Sequence, residues 1–483
     1  MTNRRSNPFK DSIGRVAKWM VLPLLLSGCV SMMPRYETPE LPVAERYATD
    51  AGGGTSGIDI AVNGWRDYFT DPFLQSLITQ ALDNNRDLRM AVLNVEAARA
   101  VYRIQRADQF PSLGVQGDMA RSRTPGTLNP LLTGQSIIAG QYQVGFGVAA
   151  WELDFWGRVR SLKTAALEEY LATDEACRAS ALQLIAQVAA SYLTLRETDE
   201  RIALARATVV TREESRRIFT RRVQVGATSR LDLKQVETLL AQAQALSAQL
   251  EQSRAAQIHA LELLVGASLD LPVETRPLGE NELFGDLHPG LPSDLLVNRP
   301  DIVAAEHQLK SANANIGAAR AAFFPRITLT GLFGSASNEL DGLFKSGSRA
   351  WNFSPNISLP IFDSGRRRAN LKLSQVQRDM AVANYEKTVQ SAFRDVSDAL
   401  SAHRWLTEQL AIAKTALDAQ SERARLSQLR YDNGAAAFLE VLDAQRDLLI
   451  AQQQLVQVRS ALLNSRISLY SALGGGSLVL DVE

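Results

Sequence analysis

Four short stretches alternate apolar and polar residues with a period of two, and most of the remaining chain repeats apolar residues every three or four positions. Tyr142, Val144, Phe146 and Val148 share one face of an extended segment, with Gln141, Gln143, Gly145 and Gly147 on the other. Trp351, Phe353, Ile357, Leu359 and Ile361 alternate in the same way with Asn352, Ser354, Asn356 and Ser358. After Pro111 and Pro325, two further segments put Leu113, Val115 and Met119, then Ile327, Leu329 and Phe333, on one face. The pattern predicts strands of about 9 to 12 residues, the length of a tilted transmembrane strand with apolar residues toward lipid and small polar ones toward a lumen. A soluble sandwich strand alternates identically, so no single segment decides; four of them in a chain that otherwise reads as helix favour the membrane. Thr124, Pro125, Gly126, Asn129, Pro130 and Gly134, and the turn-forming stretch 338–348, mark the expected extracellular loops. Phe110, Trp151, Phe155, Trp156, Phe323, Phe324 and Phe362 gather at the opposite ends as a membrane-interface girdle.

Between Gly157 and Gly226 there is neither proline nor glycine, and Leu182, Ile185, Ala189 and Tyr192 recur at helical spacing. Some 65 residues of helix span about 100 Å at 1.5 Å per residue, several times the depth of a compact domain. A second run over 365–432 repeats the first, and shorter helices are expected over 231–265 and 439–473. Their apolar stripes are narrow and interleaved with Ala, Gln, Glu and Arg, so the helices pack along seams and keep a wet face. An ordinary coiled coil has the same periodicity.

The chain is an internal duplication. Asp87, Ala91, Ala98, Arg106, Phe110 and Pro111 recur 214 positions later as Asp301, Ala305, Ala312, Arg320, Phe324 and Pro325. Farther on the offset is 208, pairing Arg222 with Arg430 and Leu231 with Leu439, so six residues are lost between Gly331 and Gly365. A repeat this long is a large unit rather than a solenoid module, and two of them imply rotational pseudo-symmetry. The expected organisation is a signal peptide over 1–28, an anchored extension over 29–64, repeats over 65–292 and 293–475 with hairpins at about 111–152 and 325–362, and a tail over 476–483.

The N-terminus sets the compartment. Arg4, Arg5, Lys10, Arg15 and Lys18 precede a short apolar core over 19–26, too brief to cross a bilayer of about 30 Å. Leu26, Ser27, Gly28 and Cys29 form a lipobox, with Cys29 as the lipidated residue, and Val30 is not the aspartate associated with inner-membrane retention. Removing the leader takes five basic residues and Asp11 from totals of 52 and 52, leaving a slightly acidic chain with no sign of a nucleic-acid partner. Cys177 then has no cysteine to pair with.

Four strands cannot close a membrane barrel, and open sheet edges are not tolerated in lipid, so the chain must oligomerise. The residues also carry a family resemblance. Arg299, Pro300, Asp301 and Ile302, then Ala305 and Glu306, Asn315 to Ala321, and Phe324 and Pro325 resemble a motif block of TolC-like outer-membrane efflux proteins. The stretches 151–158, 360–366 and 439–446 resemble that family's strand-to-helix junctions and its segment after the helical tip. The lipobox and the start Pro34, Arg35, Tyr36, Pro39, Pro42 and Val43 are similar to the OprM- and NodT-type lipoprotein subgroup. The resemblance covers essentially the whole mature chain. It implies a homotrimer whose 12-stranded outer-membrane β-barrel continues into a periplasmic α-helical barrel, docked on a periplasmic adaptor and an inner-membrane pump of the RND type.

The helix breaks at Val225, Gly226, Ala227 and Thr228 and at Asn433, Gly434 and Ala435 resemble the family's adaptor-docking tips, and they are also the turns any helical hairpin needs. Candidates for the polar links that close the periplasmic end are Arg222, Arg430, Tyr431 and Asp432. Some relatives have an acidic residue two positions before the Arg-Tyr pair, where this chain has Gln428, so an acidic ring at that level is not expected. His259, His288, His307 and His403 lack metal-ligand spacing and no phosphate-binding loop follows a strand, which gives neither an enzyme nor a cofactor site. The leading expectation is a passive exit duct for drugs or other small toxic compounds. A type I protein-secretion duct and a structural coiled-coil envelope lipoprotein stay open.

Overall fold

The structure, a computed structural model, describes residues 31–40, 43, 64–128, 135–271, 273, 279, 284 and 295–476. Cys29 and the leader lie outside the described residues, as do the expected loop residues Asn129, Pro130 and Gly134.

Helix α1 (Trp65–Tyr68) leads into α2 (Pro72–Asn84), whose first turn is set by Asp71: its carboxylate accepts the Phe73 N–H at 2.8 Å, and Pro72 sits where no donor is required. There follow α3 (Arg86–Ala107), strands β1 (Leu113–Thr124) and β2 (Ile137–Leu153), and helices α4 (Arg158–Gln224) and α5 (Arg230–Val265). The second copy runs α6 (Leu295–Asn298), α7 (Pro300–Ala321), β3 (Arg326–Ser337), β4 (Arg349–Ser358), α8 (Arg366–Asp432) and α9 (Phe438–Ala472). Helices α3 and α7 have 22 residues each, α4 and α8 have 67 each, and α5 and α9 have 36 and 35. These three pairs of helices therefore match to within one residue, and the change of offset falls among the strands.

The four strands form one antiparallel sheet in the order β1-β2-β3-β4. Its register aligns Val115, Phe146, Phe333 and Trp351 in a row across all four strands. Strand β2 is longer than its alternation suggests, at 17 residues, because a bulge between Val148 and Trp151 adds one residue and shifts the phase. Trp151 pairs with Leu329, so beyond the bulge the apolar face continues on the odd-numbered positions. Ala150 takes φ +50° there and donates its N–H to Thr330 Oγ1 at 3.2 Å.

The chain divides into two compact units, each built from both repeats. The first comprises residues 1–39, 97–171 and 307–383 and contains the sheet. At its strand-to-helix junction, Glu152 accepts from Arg158 at 2.9 and 2.7 Å and from Arg326 at 2.7 Å. Asp154 accepts the N–H groups of Val159 and Arg160 at 3.1 and 2.8 Å and so caps α4, and Asp363 receives Arg367 N–H at 3.2 Å at the start of α8. Trp156 stacks on Phe324 with ring centres 4.7 Å apart and donates to Pro325 O. Helix α7 lies on α4 through His307 Nδ1 and Glu168 Oε2, 2.6 Å apart, and through Gly317, which is so close to Ser161 that a Cβ would stand 2.6 Å from its Oγ.

The second unit comprises residues 40–96, 172–306 and 384–483. Its aromatic centre is Tyr68, Phe69, Phe284 and Tyr470: the two tyrosine rings stack 4.7 Å apart, and their hydroxyls donate to Arg466 O and Gly475 O. Burial pushes both phenols well above their usual range. Arg299 and Asp301 of the resemblance motif are structural here, since Arg299 donates to both Asp301 oxygens, at 3.0 and 2.6 Å, and to Ala472 O at the end of α9. Elsewhere the long helices bury narrow seams, such as Ile202, Ala205 and Leu250 or Leu410, Val458 and Leu462.

Candidate functional site

Each long helix reverses into its shorter partner through the same turn. Gly226 donates its N–H to Val223 O and Ala227 to Arg222 O; 208 residues on, Gly434 donates to Tyr431 O and Ala435 to Arg430 O, all between 2.8 and 3.1 Å. These paired bonds satisfy the last carbonyls of a helix and require a left-handed residue, which the glycines supply at φ +74° and +72°. Nothing lies within 4 Å of a Cβ added at either position, so the cost of a side chain there is purely conformational. Gly226→Ala and Gly434→Ala are each expected to cost about 1 kcal/mol, with asparagine recovering part of it, as measured by the midpoint of denaturant unfolding followed by helical circular dichroism.

Past the turn the two copies differ. In the first, Ser229 Oγ accepts the Asp232 N–H at 3.1 Å, and the Asp232 carboxylate accepts from Ser229 Oγ, Ser229 N and Thr228 Oγ1 at 2.7 to 3.1 Å. These hydrogen bonds, Ser229's first, hold the Asp232 carboxyl below its ordinary range, so the box contributes in full at neutral pH and weakens as the pH falls from the ordinary carboxylate range through that lowered value. In the second copy alanines 436 and 437 replace the capping pair, and no side chain caps α9. Glu440, at the position of Asp232, pairs instead with Arg430 at 2.6 Å, and Arg430 also reaches Ala435 O at 3.3 Å.

Between the two hairpins sits a small apolar cluster. Phe219 of α4 is buried against Val236 of α5 and Leu442 of α9, with Leu233, Leu239 and Phe438 around them. The Phe219 and Phe438 rings are 4.3 Å apart, and Tyr431 is 4.9 Å from Phe438. Arg222 lies over the rings of Phe219 and Tyr431, at 5.7 and 5.6 Å, and donates to the Tyr431 hydroxyl. Farther from the turn, Arg212 is buried and donates to Gln445 at 2.9 Å; desolvation pushes its pKa down. Arg459 of α9 meets Glu200 of α4 at 2.5 Å.

Of the four closure candidates, the structure brings Arg222 and Tyr431 together across the hairpins. Arg430 is engaged within its own hairpin, and Asp432 accepts from Gln428 at 2.8 Å, one turn back on the same helix. At the expected docking tips Val225 is 64% exposed, Ala227 and Ala435 face solvent, and Asn433 donates to Leu429 O at 2.7 Å. Sequence reasoning missed Phe219, Phe438, Glu440 and Gln445. The available signals were the aromatic residues flanking each break and the 208-residue correspondence of Asp232 with Glu440. Among the described residues, no group of three or more His, Cys, Asp or Glu could hold a metal ion.

The comparisons with known proteins agree across the chain. A family model described as outer membrane efflux protein matches residues 77–267 and 291–475. The chain is 47% identical over 459 residues to the solvent efflux pump outer membrane protein SrpC of Pseudomonas putida, covering 94% of this chain and 96% of that one. It is 42% identical over 458 residues to outer membrane protein OprJ of Pseudomonas aeruginosa, covering 95% of each. Among solved structures, the open-state Neisseria gonorrhoeae MtrE outer membrane channel is similar with a TM-score of 0.82 at 40% identity, covering 92% of this chain and 98% of that one. A membrane protein from Pseudomonas aeruginosa gives a TM-score of 0.86 at 42% identity, covering 92% and 100%.

Proposed function

Because the chain belongs to the outer membrane efflux protein family, we propose that it works as a homotrimeric exit duct, fed by an inner-membrane pump and a periplasmic adaptor. The chain is an outer-membrane component of an efflux pump, and its helices occupy the periplasmic side. The relatives are named for solvent, toluene and antibiotic efflux, which supports small apolar toxic compounds as cargo rather than secreted protein. The family is one of channels, not of enzymes.

The observation that carries the duct reading is the sheet. Across its aligned row, Val115, Phe146, Phe333 and Trp351 are 57 to 73% exposed in the single chain, so an apolar belt runs unbroken over all four strands. Its opposite face carries residues such as Gly114, Gln116, Asp118, Gln143 and Gly145. Strands β1 and β4 end the sheet, and lipid does not tolerate such free edges. Three copies joined edge to edge give 12 strands, enough to close a barrel around a wet lumen. Cys29 anchors the N-terminus by its lipid, and the small-residue turns around Gly226 and Gly434 meet the adaptor. The Arg222–Tyr431 link, joining the two hairpins, is the bond that opening must break.

Purified trimers are expected to form discrete pores in planar bilayers, and intact trimers without conductance would remove the duct reading. A deletion strain that retains its pump should become more sensitive to toluene and to antibiotics. Unchanged sensitivity would remove the efflux reading while leaving a channel.

A further inference from the structure

The internal repeat also indicates where the neighbouring copy sits. We propose that adjacent copies meet along two apolar stripes, Met90, Leu93, Ala97, Ala100 and Ile104 on α3 of one chain and Ala369, Leu373, Val376 and Met380 on α8 of the next. The inference rests on the trimeric reading and adds to it the residues, the register and the chemistry of the contact.

Helix α7 shows what a satisfied version of this contact looks like. It lies on α4 through His307 and Glu168 and through Gly317 and Ser161, and it buries Ile302, Leu309, Ala314 and Ile316. Helix α3 is its repeat, 214 positions earlier, yet of its 22 residues Leu88 alone is buried. One side touches α4 through the stacked rings of Tyr102 and Tyr170. The other is bare: Met90, Leu93 and Ile104 are 57, 55 and 62% exposed, and with the exposed Ala97 and Ala100 they fall at alternating spacings of three and four. That is the spacing of a helix seam that lacks its partner.

The partner follows from the same correspondence. The α4 residues that face α7 are Ser161 and Glu168, with buried Ala165 and Ala172 continuing their spacing. Moved on by 208 positions they become Ala369, Val376, Leu373 and Met380 of α8. All four are exposed, Leu373 and Met380 by 56 and 67%. Each chain therefore carries one bare copy of each half of a contact that it also makes internally. Because the two halves are different patches, the contact is head-to-tail and does not stop at a dimer, and in the proposed trimer three such contacts complete the ring. Its chemistry has changed between the copies. Where His307 bonds Glu168 inside the chain, Leu93 meets Val376 between chains, so a polar internal seam becomes an apolar external one that is strengthened by burial and indifferent to salt.

Cysteine pairs test the register. In a Cys177→Ala background, oxidising membranes that contain the full-length Leu93→Cys/Val376→Cys chain should give covalent dimers and trimers on denaturing gels. The internal pair His307→Cys/Glu168→Cys should cross-link within one chain and keep monomer mobility, and Leu93→Cys with Arg378→Cys should give no ladder. Leu93→Asp changes a side chain already exposed within the chain, and it should lower the trimer fraction at least tenfold while Leu93→Ile leaves it unchanged. Trimers that persist on native gels without a 93–376 ladder, or that tolerate Leu93→Asp, would overturn the stripe and leave the duct reading standing. Protein that never assembles beyond a monomer would overturn both.

Discussion

Replacing Arg222 with alanine, or Tyr431 with phenylalanine, is expected to raise the conductance of the reconstituted channel several-fold. Arg222 stands on α4 and Tyr431 on α8, so their hydrogen bond ties two hairpins together, and under the proposed gate it is the tie that opening would break. A hydrogen bond to a charged donor contributes about 1.5–3 kcal/mol when sheltered, and this exposed one is reduced to about 1 kcal/mol. On the proposed gate, three copies would hold the closed state by about 3 kcal/mol, and losing the bond would shift the closed-to-open ratio by about a hundredfold. Tyr431→Phe keeps the ring beneath the guanidinium and the packing on Phe438. It thus removes the hydroxyl alone, and its agreement with Arg222→Ala would assign the effect to the hydrogen bond. Arg430→Ala is the control, because the Arg430–Glu440 pair lies within one hairpin. Single-channel recording of the three variants decides the matter: if Arg430→Ala opens the pore as far as Arg222→Ala does, the hairpin link is not what holds the tip closed.

The reason the sequence pointed to Arg222 and Arg430 alike is that they are the same position in the two repeats. Each supplies the carbonyl that closes its glycine turn, at an offset of 208. Their different fates are decided by neighbours. Tyr431 stands where the first copy has Val223, which puts a hydroxyl within reach of Arg222. Asp232 is short and spent on its capping box, whereas Glu440 has no capping serine to serve and its longer side chain captures Arg430. Pairings of this kind depend on reach and rotamer, which spacing does not encode. The helix boundaries were legible for the opposite reason: an unbroken run without glycine or proline, ended by one left-handed glycine, places the ends of α4 and α8 to within a residue. The bulge in β2 was not legible, because Ala149 and Ala150 interrupt the alternation with two small side chains that declare no face. The two compact units were equally hidden, since each takes parts of both repeats and the periodicity of the long helices does not change where one unit gives way to the other.

Gly334→Val should abolish assembled channels, whereas Gly114→Val, on the same face of the same sheet, should leave them intact. Gly334 pairs with Gly145 across β3 and β2. A Cβ on Gly334 would lie 2.1 Å from Val144 O and 2.4 Å from Gly145 Cα, and one on Gly145 would lie 2.7 Å from Phe333 O. All three obstacles are backbone, so no rotamer change relieves them, and the two strands must part. Overpacking in a core costs about 1–3 kcal/mol because side chains and backbone can shift. In a membrane sheet, parting the strands also strands N–H and C=O groups in lipid at several kcal/mol each, so the cost here should exceed about 3 kcal/mol. Gly114 has nothing within 4 Å of its added Cβ, and it controls for the loss of flexibility and for the added bulk. The readout is the amount of heat-resistant trimer in the outer-membrane fraction, with a fall of at least tenfold for Gly334→Val and none for Gly114→Val. Equal behaviour of the two would mean that the close approach of β2 and β3 is not what limits barrel assembly. A loss confined to Gly334 would make the glycine pair a requirement for bringing those strands together, distinct from the turn-forming role of the glycines at the helical tips.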